Sequence, residues 1–125
     1  MIKQIESKEI IDYVKNNSKT ILLDVRTKEE WEKDKPDGEN IGLKTYFLSL
    51  LFEGGVFNKN FIEEFKNLNI KQDYRILIIC GSGNRSQKAS ELLTEEGYNC
   101  LNIFDGFLGN NNEKIGWKNN QLPTK

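Results

Sequence analysis

The chain contains 125 residues, of which 37% are hydrophobic and 30% charged, and its formal net charge is −1. This length predicts one domain over residues 1–125, and the small net charge argues against nucleic acid or an anionic membrane as a partner. No apolar stretch approaches the roughly 20 residues of a membrane span, and the polar N-terminus lacks the apolar part of a signal peptide, so we predict a cytoplasmic protein.

Histidine is absent from the chain, and its only cysteines are Cys80 and Cys100. The lack of histidine excludes Cys–His and Ser–His–Asp catalysis and removes most zinc sites, so we expect no metal centre. A chain that can build a hydrophobic core needs no disulfide, and we therefore expect both cysteines to be reduced. Any nucleophile in this protein must be activated by something other than imidazole.

The first half of the chain is predicted to alternate between helices and strands. An uninterrupted apolar run at residues 20–25 is typical of a parallel strand that is buried on both faces. Helical spacing of apolar residues predicts helices around it. The individual predictions are a helix over residues 7–16 with Ser7 as its N-cap, a short helix opened by a capping box at Thr27, a partly helical segment over residues 43–52, and a helix over residues 58–68 capped by Asn58.

The second half of the chain contains the strongest strand signal, the branched aliphatic run at residues 75–79. A helix is expected over residues 86–96 and ends at Gly97, which tolerates the left-handed backbone of a helix C-terminus. A further strand is expected over residues 98–104, and Trp117 is expected to pin the C-terminal tail to the body. Alternating strands and helices predict the α/β class with a mainly parallel sheet.

Cys80 opens the loop Cys80-Gly81-Ser82-Gly83-Asn84-Arg85, which joins the strongest strand to the following helix. In open α/β sheets, ligands bind beyond the carboxyl ends of the strands. The glycines allow backbone N–H groups to turn inward as an anion-binding nest, and the helix N-terminus adds partial positive charge. Together with the Arg85 guanidinium, these features favour the thiolate and predict that Cys80 is a catalytic nucleophile.

This loop resembles the active site of the rhodanese-like family, whose pattern is Cys, two residues, Gly, one residue, Arg, and then Ser or Thr. Cys80, Gly83, Arg85 and Ser86 match it in full. The likeness extends over nearly the whole chain, because the segment Leu22-Leu23-Asp24-Val25-Arg26 and the turn Phe104-Asp105-Gly106 also resemble blocks of that family. The resemblance implies a three-layer fold with a central, mainly parallel, five-stranded sheet and helices on both faces.

The resemblance also implies a sulfurtransferase that works without a cofactor, through a covalent persulfide on Cys80. Its donor would be a small thiosulfate-like or persulfide compound, and its acceptor cyanide, a thiol or a sulfur-accepting protein. One alternative is a sulfur carrier or binding module that acts with a protein partner. Another is a cysteine phosphatase or arsenate reductase, but those enzymes place five residues between Cys and Arg, whereas four separate Cys80 from Arg85. The shorter loop fits an outer sulfur better than a phosphate.

Several other residues are assigned supporting roles. Asp24 and Arg26 follow the first predicted strand, and we expect them to brace the loops as an ion pair, with direct contact to an anion as the alternative. Arg85 is expected to brace its loop against backbone or a carboxylate, and Ser86 to cap the helix and donate toward the sulfur. Cys100 is interpreted as a core residue, with a resolving thiol as the alternative.

Two features bear on substrate choice. The segment of residues 34–39 stands where family members usually carry a Gly-His-Ile-Pro-Gly-Ala type sequence, so the rim of the site is expected to differ. The loop positions Gly81 and Ser82 provide no cationic side chain. This lack favours a less anionic donor or a persulfide on a protein.

Overall fold

The computed structural model describes residues 1–110 and 114–125. This part of the chain contains seven strands and four α-helices. In chain order they are β1 Lys3–Ile5, α1 Ile10–Asn16, β2 Thr20–Asp24, α2 Lys28–Lys33, β3 Lys44–Phe47, β4 Leu51–Phe52, β5 Val56–Phe57, α3 Phe61–Lys66, β6 Arg75–Ile79, α4 Asn84–Glu95 and β7 Asn99–Ile103.

Five strands form one sheet in the order β1-β7-β6-β2-β3, and every neighbouring pair is parallel. The two short strands β4 and β5 form a separate antiparallel hairpin. Because all strands of the main sheet point the same way, their carboxyl ends meet at one edge. The mixed α/β class and the five-stranded parallel sheet are confirmed.

Hydrophobic side chains fill both faces of this sheet. Phe61, Phe65, Ala89 and Leu93 bring α3 and α4 onto one face, while Ile10 of α1 packs with Trp117 and Phe107 on the other. The strands between them are consequently buried on both sides, and every residue of β2 is buried. This arrangement explains the continuous aliphatic runs of the central strands.

Several local predictions are confirmed. The strand at residues 75–79 coincides with β6. Thr27 caps α2 with a complete capping box, in which its hydroxyl accepts the backbone N–H of Glu30 and the Glu30 carboxylate accepts the backbone N–H of Thr27. Gly97 follows α4 with φ +94°, and its N–H bonds back to the Thr94 carbonyl. Trp117 holds the tail by donating its indole N–H to the Pro123 carbonyl oxygen.

Other local predictions are wrong. Ser7 does not cap a helix but donates to the Asp105 carboxylate, and the helix begins at Ile10 after a 3-10 turn. Asn58 is not the N-cap of α3. Its side chain accepts the N–H of Asn60, which is itself the N-cap residue, and the helix starts at Phe61. Residues 43–52 form β3 and β4 rather than helix, since pairing with β2 and with β5 satisfies their backbone.

The atypical segment of residues 34–39 is held by the C-terminal tail. Pro36 forms an isolated antiparallel bridge with Thr124, and the Asp37 N–H donates to the Pro123 carbonyl oxygen. No helix in the described residues is long and apolar enough to cross a bilayer.

Candidate active site

Cys80 immediately follows β6 at the edge where the carboxyl ends of the strands meet. Its side chain lies on the same face of the sheet as α4 and is 1% exposed. Sγ accepts the backbone N–H of Gly83 at 3.1 Å and lies 3.3 Å from the hydroxyl oxygen of Ser86. The sulfur therefore sits at the start of a helix with two polar groups directed at it.

The backbone of the loop brings the helix N-terminus to the sulfur. Gly83 precedes α4 with φ +101°, and a Cβ at this position would lie 2.2 Å from the Phe104 carbonyl oxygen. Only glycine fits this turn. Asn84, Arg85 and Ser86 form the first helical turn, whose backbone N–H groups have no partner within the helix and favour negative charge nearby.

The turn after β7 locks the other side of the loop. The N–H groups of Phe107 and Leu108 donate to the carbonyl oxygens of Cys80 and Gly81 at 2.8 and 2.9 Å. A Cβ on Gly106 would lie 2.4 Å from the Gly81 carbonyl oxygen, so the two turns are in direct backbone contact. These contacts fix the loop from outside its own sequence.

Arg85 is anchored by a carboxylate on α2, as the sequence analysis expected without naming the partner. Its Nη1 and Nη2 donate to Oε1 and Oε2 of Glu30 at 2.6 and 3.1 Å. Burial tends to raise the pKa of Glu30, but the hydrogen bonds from Arg85 and Thr27 outweigh it and lower that pKa to about 2. The bidentate pair ties the Cys80 loop to α2.

Ser86 does not cap α4, contrary to the prediction, because it is the third residue of the helix and Gly83 occupies the N-cap position. Its hydroxyl instead donates to Oδ1 of Asn102 on β7. Asn102 is a buried residue that sequence reasoning placed in a strand and assigned no role. A polar residue within the run of apolar residues 100–104 is the signal that could have identified it.

Asp24 and Arg26 form the predicted ion pair. Arg26 Nε donates to Oδ1 and Oδ2 of Asp24 at 3.2 and 3.1 Å, and both side chains are buried. Burial raises the pKa of the Asp24 carboxyl, and the neighbouring guanidinium opposes this. Arg26 also donates to the Asp34 carbonyl oxygen and stacks 4.3 Å from the centre of the Phe107 ring. The pair therefore connects β2 to the end of α2 and to the turn that locks the loop.

Lys114 supplies a cation that the sequence of the loop lacks. Its Nζ donates to the Ser82 carbonyl oxygen at 2.8 Å, and the side chain is partly exposed. The positions Gly81 and Ser82 themselves carry no charge, as the sequence shows, and the nature of the donor stays a prediction. Lys114 was missed because it lies 33 positions after Gly81, and only the fold brings it to the loop.

Cys100 lies at the opposite end of the sheet from Cys80. It pairs with Ile76 across β6 and β7, four residues before Cys80, which corresponds to a separation of about 13 Å along the strands. A disulfide requires Cα atoms within about 7 Å, so the two cysteines cannot join directly. Burial raises the pKa of Cys100 to about 11, which fits the interpretation as a core residue. Across residues 1–110 and 114–125 there is no cluster of three or more potential metal-ligating side chains.

Comparison with known proteins agrees with this geometry. The model of the Rhodanese-like domain family matches residues 7–112. The chain is 45% identical over 112 residues to an uncharacterized protein of Rickettsia prowazekii, covering 86% of this chain and 84% of that protein. It is 32% identical over 110 residues to thiosulfate sulfurtransferase 18 of Arabidopsis thaliana, covering 82% and 79%.

A solved structure is similar over the full length. The crystal structure of Rv0390 from M. tuberculosis superposes with a TM-score of 0.86 at 29% sequence identity, covering 98% of this chain and 96% of that one. The matched family region contains both the Cys80 loop and the Asp24–Arg26 pair. The chain therefore belongs to the rhodanese-like domain family, a superfamily with sulfurtransferase members.

Proposed function

We propose that this protein is a sulfurtransferase that moves a sulfane sulfur from a donor to a thiophilic acceptor through a persulfide on Cys80. The observation that carries the proposal is the setting of Cys80 Sγ, which accepts the Gly83 N–H at 3.1 Å at the N-terminus of α4. Membership of the family supports it, and one relative bears the name thiosulfate sulfurtransferase.

The first step is attack by the Cys80 thiolate on the sulfane sulfur of the donor. A new S–S bond forms on Cys80 while the bond between that sulfur and the rest of the donor breaks, and the leaving group, sulfite in the case of thiosulfate, keeps the electron pair. The product is a persulfide anion on Cys80. The Gly83 N–H, which contacts the sulfur, and the positive N-terminal end of α4 would stabilise this charge, as donors do in an oxyanion hole.

The second step returns the enzyme to its starting state. An acceptor such as cyanide or a thiolate attacks the outer sulfur, the acceptor–sulfur bond forms, and the S–S bond to Cys80 breaks. The electron pair of that bond stays on Cys80 as the thiolate. No metal or organic cofactor takes part in either step.

The surroundings of Cys80 support a small anionic donor. Cys80 is 1% exposed, so a slim group such as a terminal sulfur reaches its sulfur more readily than a bulky side chain. Lys114, whose Nζ contacts the Ser82 carbonyl oxygen, adds positive charge beside the loop and would attract an anionic donor. Thiosulfate combines a terminal sulfur with an anionic sulfonate and is the donor we expect to work.

Intact-mass spectrometry tests the proposal. The protein is incubated with thiosulfate, desalted and weighed, and is then treated with cyanide while thiocyanate is measured. We expect a gain of one sulfur atom that cyanide removes, no gain in Cys80→Ser, and an unchanged gain in the control variant Cys100→Ser. A wild-type protein that gains no sulfur from thiosulfate or from a low-molecular-weight persulfide would contradict the proposal.

Three further assays separate the alternatives. Loading from a cysteine desulfurase with little thiocyanate production would favour the sulfur carrier that acts with a protein partner. Hydrolysis of an aryl phosphate, lost in Cys80→Ser, would favour a phosphatase. Thiol oxidation that depends on arsenate would favour an arsenate reductase.

A further inference from the structure

Two buried polar side chains, Ser86 and Asn102, lie in a row behind the Cys80 sulfur. Cys80 Sγ is 3.3 Å from the Ser86 hydroxyl oxygen, and that hydroxyl contacts Oδ1 of Asn102. All three residues are at most 2% exposed, so water does not compete for these contacts. Their hydrogen atoms must therefore be shared among the three groups and the amides around them.

The surroundings of Asn102 fix which way its amide points. Its Nδ2 lies 3.3 Å from the backbone carbonyl oxygen of Gly83, and also contacts the side-chain oxygens of Gln4 and Gln87 at 2.9 and 3.2 Å. The glutamine amides could turn over, but a backbone carbonyl can only accept. The NH2 group of Asn102 must face it, and Oδ1 must face Ser86.

This orientation dictates the position of the single Ser86 hydroxyl proton. An amide oxygen has no proton to give, so Ser86 donates to Asn102 and presents its lone pairs to Cys80. Those lone pairs can accept the S–H of a thiol but offer nothing to a thiolate. For Ser86 to stabilise the thiolate, its hydroxyl must rotate toward the sulfur and leave Asn102 Oδ1 buried without that donor.

We propose that Asn102 is a positioning residue that holds the Ser86 hydroxyl proton away from Cys80 and so opposes ionisation of the thiol. When the thiol loses its proton to solvent, the Ser86 hydroxyl turns from Asn102 to the sulfur. The gain of the new hydrogen bond is offset by the loss of the old one. The relevance of this balance to catalysis rests on the proposed sulfurtransferase function, in which the Cys80 thiolate is the nucleophile.

Charged groups near Cys80 also affect its ionisation, and they come from several elements. They are Arg85 of α4 with its partner Glu30 of α2, the Asp24–Arg26 pair at the carboxyl end of β2, and Lys114 after β7. These ion pairs and the Lys114 contact do not involve Asn102, so all of these groups remain in place when Asn102 is changed. Their effect on the ionisation of Cys80 is therefore the same in wild type and in the Asn102 variants.

The test measures how fast Cys80 is alkylated by iodoacetamide as a function of pH, in a Cys100→Ala background that leaves one thiol. Asn102→Leu removes the acceptor of the Ser86 hydroxyl, so the midpoint of the rate-versus-pH curve should fall by about one unit. Ser86→Ala alone should change the midpoint little, because the donor that it removes is already offset in wild type by loss of the contact to Asn102. Gln4→Met is the matched control, since it removes one contact of Asn102 Nδ2 without touching Ser86, and it should leave the midpoint unchanged.

The decisive comparison is the double variant. If Asn102 acts through the Ser86 hydroxyl, Asn102→Leu shifts nothing in the Ser86→Ala background. The proposal is overturned if Asn102→Leu lowers the midpoint in the Ser86→Ala background as much as it does alone. It is also overturned if Asn102→Leu alone leaves the midpoint unchanged. Asn102→Ala repeats the test with less bulk if the leucine variant does not unfold cooperatively in urea. Alkylation needs no sulfur donor, so this result stands apart from failure of sulfur loading, which would overturn the proposed function instead.

Discussion

Replacement of Glu30 by Gln removes the negative charge opposite Arg85 but keeps the shape of the side chain and one acceptor oxygen. That oxygen can still accept the Thr27 N–H, because glutamine serves as well as glutamate in a capping box. The substitution therefore isolates the ion pair from the helix cap. The two side chains are 25% and 30% exposed, so solvent screens the pair only in part.

The size of the effect follows from the ionisation of Glu30. Its pKa falls from the ordinary 4.5 to about 2 in the folded protein. At about 1.4 kcal/mol for each unit, the ionised carboxylate stabilises the fold by at most about 3 kcal/mol. Because the folded-state pKa is the lower one, this stabilisation is complete above pH 4.5 and is lost as the pH falls toward 2. Between pH 6 and pH 3, wild type should lose about 2 kcal/mol that Glu30→Gln does not lose.

Urea unfolding of wild type and Glu30→Gln at pH 6 and pH 3, followed by tryptophan fluorescence, measures this difference. We expect the variant to be clearly less stable at pH 6 and to approach wild type at pH 3. The sulfur loading of the variant should also slow, since Arg85 no longer anchors the loop to α2. If the difference in free energy of unfolding between wild type and Glu30→Gln is the same at both pH values, the stability cannot be assigned to the Glu30 charge.

Three further predictions concern the surroundings of the loop. Gly106→Ala places a Cβ 2.4 Å from the Gly81 carbonyl oxygen and should lower the free energy of unfolding by about 2 kcal/mol or more. The control Gly54→Ala, also at positive φ but with nothing within 4 Å, should lower it by only about 1 kcal/mol. Equal losses of stability in urea unfolding would contradict this prediction. Lys114→Met should raise several-fold the thiosulfate concentration for half-maximal sulfur loading at low salt, and the effect should shrink at high salt; no change would remove the lysine from donor binding. In Cys80→Ser, where Cys100 is the sole thiol, Cys100 should react with Ellman's reagent at pH 8 at least about a hundredfold more slowly in the folded protein than in urea. The reason is that its pKa is raised to about 11 in the folded protein. Similar reaction rates in the two states would refute its burial.

The sequence predicted best those elements whose signal is local. The aliphatic run of β6 and the capping box at Thr27 depend on neighbouring residues alone, and both were located correctly. The strand β1 has only three residues, too few to show a period, and was missed. Residues 43–52 were predicted as partly helical because nothing local indicates that β3 finds its partner in β2.

The candidate site likewise has a local part that the sequence predicts and a part, brought together by the fold, that it does not. Cys80 and the glycines of its loop are contiguous, so their arrangement could be predicted from spacing. The groups that complete the surroundings come from α2, from β7 and from the segment beyond it. Glu30 and Asn102 lie 50 residues before and 22 residues after Cys80, and each contact depends on the strand order of the sheet. Such contacts are a product of tertiary structure and leave no mark on the loop sequence.

The backbone contact between the Cys80 loop and the turn after β7 has a consequence for synthesis on the ribosome. Phe107 and Leu108 fix the loop by donating to its carbonyl oxygens, yet they are translated more than 25 residues after Cys80. A parallel sheet also needs distant strands to meet before any one of them is stable. We therefore expect the nascent chain to carry Cys80 as an ordinary, accessible thiol. The nucleophilic reactivity that the proposed function requires of Cys80 is expected only after β7 and the following turn have emerged and docked.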